Sequence, residues 1–384
     1  MSPADLLPLA SRFALNGHAV SVEPLGNGNV NDTYRIRTDC GESYVLQRLN
    51  TAVFCRPELV MHNLLVVAQH AAPRLVSDGS AHRPSWQLPR PIRLRTILPA
   101  TAAAEPAHYL LENQGDVWRV MGFVENAVAL DVVDQPSVAV EIGRALGRFH
   151  VLIHDLPSAL LADTLEGFHV TPMYLDRYLQ LIGDPSFCPP TLGSRLQRPQ
   201  ARWCSSFIAA RQTFVPVLEQ ALAAGRLQLR PIHGDPKVNN VLLCSATGRA
   251  VAMIDLDTVK PGLLHYDIGD ALRSACNPAG EETLDLETVR FDLDLAAALL
   301  RGYLSEAGRV LSVDDIAHLY DAIRLLPFEL GLRFFTDYLD GDVYFRVDQP
   351  CQNLQRALVQ FHLTASIEAQ ESQIRAMIQQ LCDP

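Results

Sequence analysis

The segment His233-Gly234-Asp235-Pro236-Lys237-Val238-Asn239-Asn240 places a carboxylate, an ammonium and a carboxamide on one short stretch of chain. Phosphoryl transfer to a hydroxyl uses an Asp that accepts the hydroxyl proton and an Asn five residues later that holds Mg²⁺. Asp235 and Asn240 have that spacing, and Lys237 offers positive charge where negative charge grows on the transferring group. In such a chain, chance would give His-Gly-Asp with Asn at that offset only on the order of 10⁻³ times. A polar loop between two strands is the plain structural alternative. Further on, Val251 to Ile254 reads as a short apolar strand ending in Asp255, a carboxylate at a sheet end where a hard cation prefers oxygen. Taken alone, Asp255 is equally a solvated strand-end acid. Asp267, at the start of the next helical pattern, is either a brace for the loop or an ordinary N-cap. Gly26-Asn27-Gly28-Asn29-Val30-Asn31-Asp32 could cover phosphates, because glycines let the backbone approach closely and exposed N–H groups attract anions. The same residues also suit a hairpin turn.

Two kinds of element must hold these residues. Residues 18–50 alternate, with Asp32–Arg37 and Ser43–Leu49 as antiparallel strands around the Asp39-Cys40-Gly41-Glu42 turn. Pro57 to Gln69 has helical spacing. Residues 73–106 show no clear period and read as a long irregular insertion with room for one strand, and Tyr109–Glu112 with Val117–Val124 makes a second hairpin. From residue 126 onward helical patterns dominate, at 138–153, 172–183, 200–224, 291–306, 313–338 and 352–381. A strand-and-loop island at 228–258 interrupts them and contains both Asp235 and Asp255. A strand-rich lobe, 1–125, followed by a larger helical lobe, 126–384, predicts an α+β fold rather than an alternating βαβ sheet.

Composition narrows the classes. The 384 residues are 48% hydrophobic, ordinary for a globular protein of two domains or one large two-lobed enzyme. Basic and acidic residues number 32 and 43, and the net charge of −11 argues against nucleic-acid binding. No run reaches the ~18 apolar residues of a membrane span. Asp5 precedes any basic residue, so no secretory leader is expected. None of the eight cysteines forms a C-x-x-C pair, which suits reduced thiols in a cytoplasmic protein.

On Asn31-Asp32-Thr33-Tyr34, Tyr44–Asn50, His233–Asn240, Ile254–Gly262, Tyr266–Asp270 and Glu329–Phe345, the chain resembles the aminoglycoside phosphotransferase and choline kinase superfamily. Within it, the chain is most similar to the N-acetylhexosamine 1-kinases, a likeness carried by the late Asp340-Gly341-Asp342-Val343-Tyr344-Phe345 segment. The resemblance implies a two-lobed protein-kinase-like fold. It implies an ATP- and Mg²⁺-dependent enzyme that phosphorylates the anomeric hydroxyl of an N-acetylhexosamine, acting as monomer or homodimer. It makes Asp235 the base, with Lys237 beside it, and Asn240 and Asp255 the Mg²⁺ ligands. Gly26, Gly28, Asn29 and Gln47 fall on the nucleotide side, backbone groups near Phe123 and Glu125 meet adenine, and Asn31, Arg333 and Tyr344 contact the sugar.

The bland account of the last pair is that Arg333 bonds Glu329 one turn earlier and Tyr344 packs in the core. One departure stands out. Kinases carry a strand Lys that pairs with a helix Glu, but Lys237 and Lys260 are the only lysines here. Alternation places Gln47 at that position and Arg48 on the opposite face; either Gln47 suffices or Arg48 swings in. Glu58 lies early on the helix and His62 occupies its central turn. The competing functions are a kinase for another small acceptor (aminoglycoside, choline, homoserine or a different sugar) and a catalytically silent nucleotide-binding scaffold.

Overall fold

The computed structural model describes residues 3–26, 30–77, 86–95, 107–112, 115–184, 189 and 191–382. The first lobe contains α1 (Pro3–Ala10), β1 (Ala19–Pro24), β2 (Asp32–Thr38), β3 (Ser43–Leu49), α2 (Pro57–Ser77), β4 (Tyr109–Leu111) and β5 (Val117–Gly122). The strands form one antiparallel sheet in the order β1-β2-β3-β5-β4. Strand alternation divides its side chains between two faces. Ile36, Tyr44, Leu46, Trp118 and Val120 pack against Leu6, Leu9 and Phe13 of the N-terminal segment. The other face carries Thr33, Val45, Gln47, Arg119 and Met121, in register across β2, β3 and β5. Met121 and Val45 join the core of the second lobe.

The helix α1 is too short and Pro-interrupted to stand out as a period. Conversely, α2 runs through Pro73 to Ser77, where sequence reading begins an irregular insertion. Ala71 is buried and Leu75 packs on the core, so tertiary contacts offset the hydrogen bond that Pro73 removes. Within 86–95 there is no strand, only isolated bridges from Gln87 to Ala252, Pro91 to Met121 and Leu94 to Phe13.

The second lobe holds β6 (Ala127–Val128), α3 (Pro136–Ile153), α4 (Thr171–Gly183), α5 (Leu192–Leu196), α6 (Pro199–Ala209) and α7 (Val217–Ala223). There follow β7 (Arg230–Ile232), β8 (Val241–Cys244), β9 (Ala250–Met253), β10 (Lys260–Gly262) and α8 (Leu264–Ala275). The chain ends in α9 (Leu293–Ala307), α10 (Val313–Ala317), α11 (Leu319–Asp340), α12 (Gln352–Ala369) and α13 (Glu371–Cys382). Strands pair as β6-β8-β9 and β7-β10. The helical pattern at 200–224 is split because Pro216 cannot continue a helix, and a 3₁₀ turn at Gln212–Phe214 fills the gap. The architecture is the α+β, kinase-like arrangement of a strand-rich sheet and a helical remainder. No helix among the described residues is long and apolar enough to cross a membrane.

Two helices of the larger lobe touch backbone to backbone. A Cβ on Gly143 of α3 would lie 1.9 Å from the Leu299 carbonyl oxygen, and one on Gly302 of α9 would lie 2.1 Å from that of Val140. Neither neighbour can yield, since both are main chain. Gly143→Ala is therefore expected to cost about 3 kcal/mol of stability, the upper part of the usual overpacking range. Gly183→Ala, where a Cβ meets nothing within 4 Å, is the control and should leave thermal unfolding nearly unchanged.

Candidate active site

The loop after β7 is built around Asp267. Its carboxylate accepts the backbone N–H of His233 at 2.7 Å and of Gly234 at 2.8 Å, and a ring N–H of His150 at 2.8 Å. Asp267 therefore braces the loop and is not a cap; the residue capping α8 is Leu263, which offers no side-chain cap. Burial alone would raise the Asp267 carboxyl, but the hydrogen bonds and charges of His150 and His233 together outweigh it and hold it below its ordinary value. Gly234 has φ +87, and a Cβ there would lie 2.6 Å from the Thr258 carbonyl oxygen, so this position requires glycine. His233 donates to the Ile254 carbonyl at 3.0 Å, Thr258 donates to the His233 carbonyl at 2.8 Å, and the Ile254 N–H donates to the Asn240 carbonyl at 2.9 Å. These bonds make the Asp235 and Asp255 segments one rigid unit.

Within that unit Lys237 Nζ donates to Asp235 Oδ2 at 2.8 Å, and Asn240 Nδ2 donates to the Asp235 carbonyl at 2.7 Å and to Oδ2 at 3.1 Å. Burial pushes the Asp235 carboxyl up, but Lys237 overrides it and keeps the group ionised below its usual range. Asp255 sits in the left-handed region at φ 63. It is exposed, and among the described residues no protein donor is hydrogen-bonded to its side chain. Protein crowds its other sides: desolvation first, then the like charge of Asp257, push it up to about 7. The Asp255 carboxylate and the amide oxygen that Asn240 leaves unbonded, on segments tied together by their backbones, are oxygen donors of the kind that suits Mg²⁺. No cage of three or more His, Cys, Asp or Glu exists among the described residues, so phosphates and water would complete the shell.

Arg48 does face away, bonded to Asp32 at 2.9 Å and to Asp116 at 3.5 Å. Gln47 faces the cleft, but its amide is engaged: Nε2 donates to Thr33 Oγ1 at 3.2 Å, and Oε1 accepts from Arg119 Nε at 3.0 Å and Nη2 at 2.7 Å. Arg119 also pairs with Asp257 at 2.6 Å, and both side chains are 2% exposed. Asn31 donates to Asp257 at 2.8 Å and accepts the Asn50 N–H at 3.0 Å, which places it at this cluster rather than beside Arg333 and Tyr344. Among the described residues Glu58 pairs with Arg56 alone, and His62 bonds the Leu160 carbonyl, so neither partners a strand cation there. Phe123 and Glu125 line a cavity of about 460 Å³ at the end of the sheet, with the Arg35 guanidinium 4.4 Å over the Phe123 ring. Gly26 lies at φ +68; Gly28 and Asn29 fall outside the described residues.

A second cavity, about 360 Å³, contains both Arg333 and Tyr344. The chain reversal that unites them is made by Asp337, whose carboxylate accepts the N–H groups of Val343, Tyr344 and Phe345 at 3.0, 2.8 and 3.0 Å. Gly341, at φ 112, ends α11 before it. Tyr344 is 47% exposed and is no core residue. The Arg333–Glu329 pair exists but is loose, at 4.0 Å. Glu329 is bonded instead by His169 Nδ1 at 2.9 Å and Thr171 at 2.8 Å, and His169 Nε2 reaches the Gly234 carbonyl at 2.7 Å. Both His169 nitrogens face acceptors, which only the protonated ring satisfies. Burial would lower His169, and the Glu329 charge raises it. Through this buried link α11, and with it Arg333, is held against the Asp235 loop.

Residues 21–311 match the phosphotransferase enzyme family. The chain belongs to that family. As a phosphotransferase it moves a phosphoryl group from ATP to a hydroxyl acceptor. An aminoglycoside phosphotransferase from Alicyclobacillus acidocaldarius shares the fold with a TM-score of 0.59 at 14% identity, over 97% of this chain and 95% of that one. A microcompartment-associated aminopropanol kinase gives 0.57 at 16% identity, over 97% and 98% of the two chains. Amicoumacin kinase, in complex with AMP-PNP, Ca²⁺ and Ami, gives 0.54 at 15% identity, over 99% and 94%.

Sequence reading of this phosphotransferase missed Arg119, Asp257, His169 and Thr171. Asp257 had a local signal, a second acid two residues after Asp255. The others had none, because their partners are far away in the chain.

Proposed function

We propose that this phosphotransferase is an ATP- and Mg²⁺-dependent kinase for the anomeric hydroxyl of an N-acetylhexosamine or a related neutral sugar. One observation carries the choice of acceptor: the aromatic cage of the Arg333 cavity already holds a cation. Phe168, Tyr174 and Phe345 surround the Arg333 guanidinium at 5.0, 5.1 and 5.4 Å. An ammonium acceptor would want that cage for itself. Three of the nearby carboxylates are also spent: Asp340 on Arg177 at 2.8 Å, Asp342 on Arg195 at 2.6 Å, and Asp337 on three backbone N–H groups. A neutral polyol instead offers oxygens to the fixed Arg333 donors and a flat face to Tyr344. In this reading Asp235 accepts the hydroxyl proton and Lys237 meets charge on the transferring phosphate. Asn240 and Asp255 would hold Mg²⁺, which supplies charge neutralisation on the phosphates. An ATP analogue with a divalent cation in a protein of this fold supports the same cofactor pair. The chemistry suits a cytoplasmic enzyme, where ATP is at hand.

Glu166 favours the second reading, an amino-bearing acceptor. It lines the same cavity, and among the described residues no donor is bonded to its carboxylate. The two readings separate cleanly. Arg333→Ala is expected to lower kcat/KM for N-acetylhexosamine by roughly one to two decades, the worth of one buried polar contact, with the KM for ATP unchanged. Glu166→Gln should leave sugar turnover intact. Loss of turnover of an amino acceptor in Glu166→Gln, with the sugar inert in wild type, would favour the second reading. Phosphate should appear on the anomeric carbon, and the methyl glycoside should be inert.

A further inference from the structure

We propose that Arg119 of β5 is a positioning residue that replaces the missing strand lysine, strapping the two lobes together through Asp257 and so setting where Asp255 stands. The inference rests on reading the cleft between Gln47 and Asp255 as the nucleotide site. Gln47 stands at the lysine position, and β3–β5 pairing puts Arg119 directly opposite it. The guanidinium is gripped twice from the first lobe, by Gln47 Oε1 on Nε and Nη2, and its remaining nitrogen Nη1 faces Asp257 Oδ1 of the second lobe at 2.6 Å.

Asn31 adds a second tie from the first lobe. Its amide donates to the other Asp257 oxygen at 2.8 Å, while its own oxygen holds the Asn50 N–H. Asn31, just before β2, and Arg119 of β5, itself held by Gln47 of β3, thus converge on one carboxylate, two residues beyond Asp255. A lysine carries a single ammonium and no planar fork to span Gln47 Oε1 and Asp257 in this way; Arg119 Nη1 and Asp257 Oδ1 meet as a buried ion pair without hydrogen-bond alignment. Burying both charges is a poor way to gain stability, but it demands one geometry, since each charge is costly without the other. Gln47 in this arrangement orients a cation and does not touch phosphate.

The test compares Gln47→Lys, Arg119→Lys and the charge-neutral pair Arg119→Gln with Asp257→Asn. Binding of Mg·AMP-PNP is read by calorimetry, beside kcat, acceptor KM and thermal unfolding. Gln47→Lys sets a second cation against Arg119, so binding should weaken roughly tenfold. Arg119→Lys keeps the charge but not the fork; kcat should fall on the order of 10²-fold, the cost of a misplaced group, with acceptor KM unchanged. The neutral pair avoids an orphaned buried charge and should fold, yet show the same loss in kcat.

Tighter nucleotide binding by Gln47→Lys than by wild type would overturn the proposal, since the position would then still be a phosphate site. Wild-type turnover by the folded neutral pair would overturn it as well. Wild-type protein that fails to bind Mg·AMP-PNP would instead overturn the nucleotide-site reading on which it rests.

Discussion

Asp235→Asn is expected to lower kcat on the order of 10²–10⁴-fold, the usual worth of a positioned proton acceptor. The substitution keeps the shape of the side chain and leaves the loop's supports untouched, since Asp267 holds the backbone of His233 and Gly234 rather than the Asp235 side chain. Thermal unfolding and calorimetric binding of Mg·AMP-PNP should therefore stay close to wild type. What changes is the partner offered to the acceptor hydroxyl. The ionised carboxylate, kept so by Lys237 at 2.8 Å, can take a hydroxyl proton; the amide cannot. Nearly normal turnover in a folded Asp235→Asn protein would refute the mechanism.

Chelation of divalent cations should abolish turnover, and Asp255→Asn should lower activity by roughly 10³-fold, because the charge neutralisation supplied by a bound cation is worth several kcal/mol. Asn is the proper replacement, since it tolerates the left-handed conformation that Asp255 adopts. The same variant carries an opposite expectation for stability. The fold raises the Asp255 carboxyl from 3.8 to about 7, so the folded protein holds this proton more tightly than the unfolded chain does. Without a divalent cation, that group makes wild type lose stability as pH rises from its ordinary value toward about 7. Asp255→Asn lacks the loss and should melt higher than wild type at pH 8 in EDTA. Activity that persists in EDTA, or a Mg²⁺ titration identical to wild type, would exclude Asp255 as a cation ligand.

The Asp235 loop, Asp255 and the two hairpins of the first lobe were legible in the amino-acid order because each is written in consecutive residues. A loop with Asp and Asn at fixed offset, or a strand that alternates every second residue, needs no knowledge of distant chain. Even the reversal after α11 was legible in Asp340-Gly341-Asp342, since Gly ends a helix by its own backbone freedom. The limits of α2 and the split near Pro216 were not, because packing decides whether a helix absorbs or obeys a proline.

The pairings belong to tertiary structure alone. His169 meets Glu329 across 160 positions, and Asn31 meets Asp257 across 226. The Arg119–Asp257 pair likewise joins one lobe to the other. No spacing rule connects such residues, and each taken singly reads as a surface polar group. Folding decided that Gln47 holds an arginine, and that Arg333 fills an aromatic cage which composition leaves open to any cation. The physical reason is common to both. A buried charge must find its counter-charge wherever the packed lobes bring one within reach, and that partner is set by topology rather than by distance along the chain.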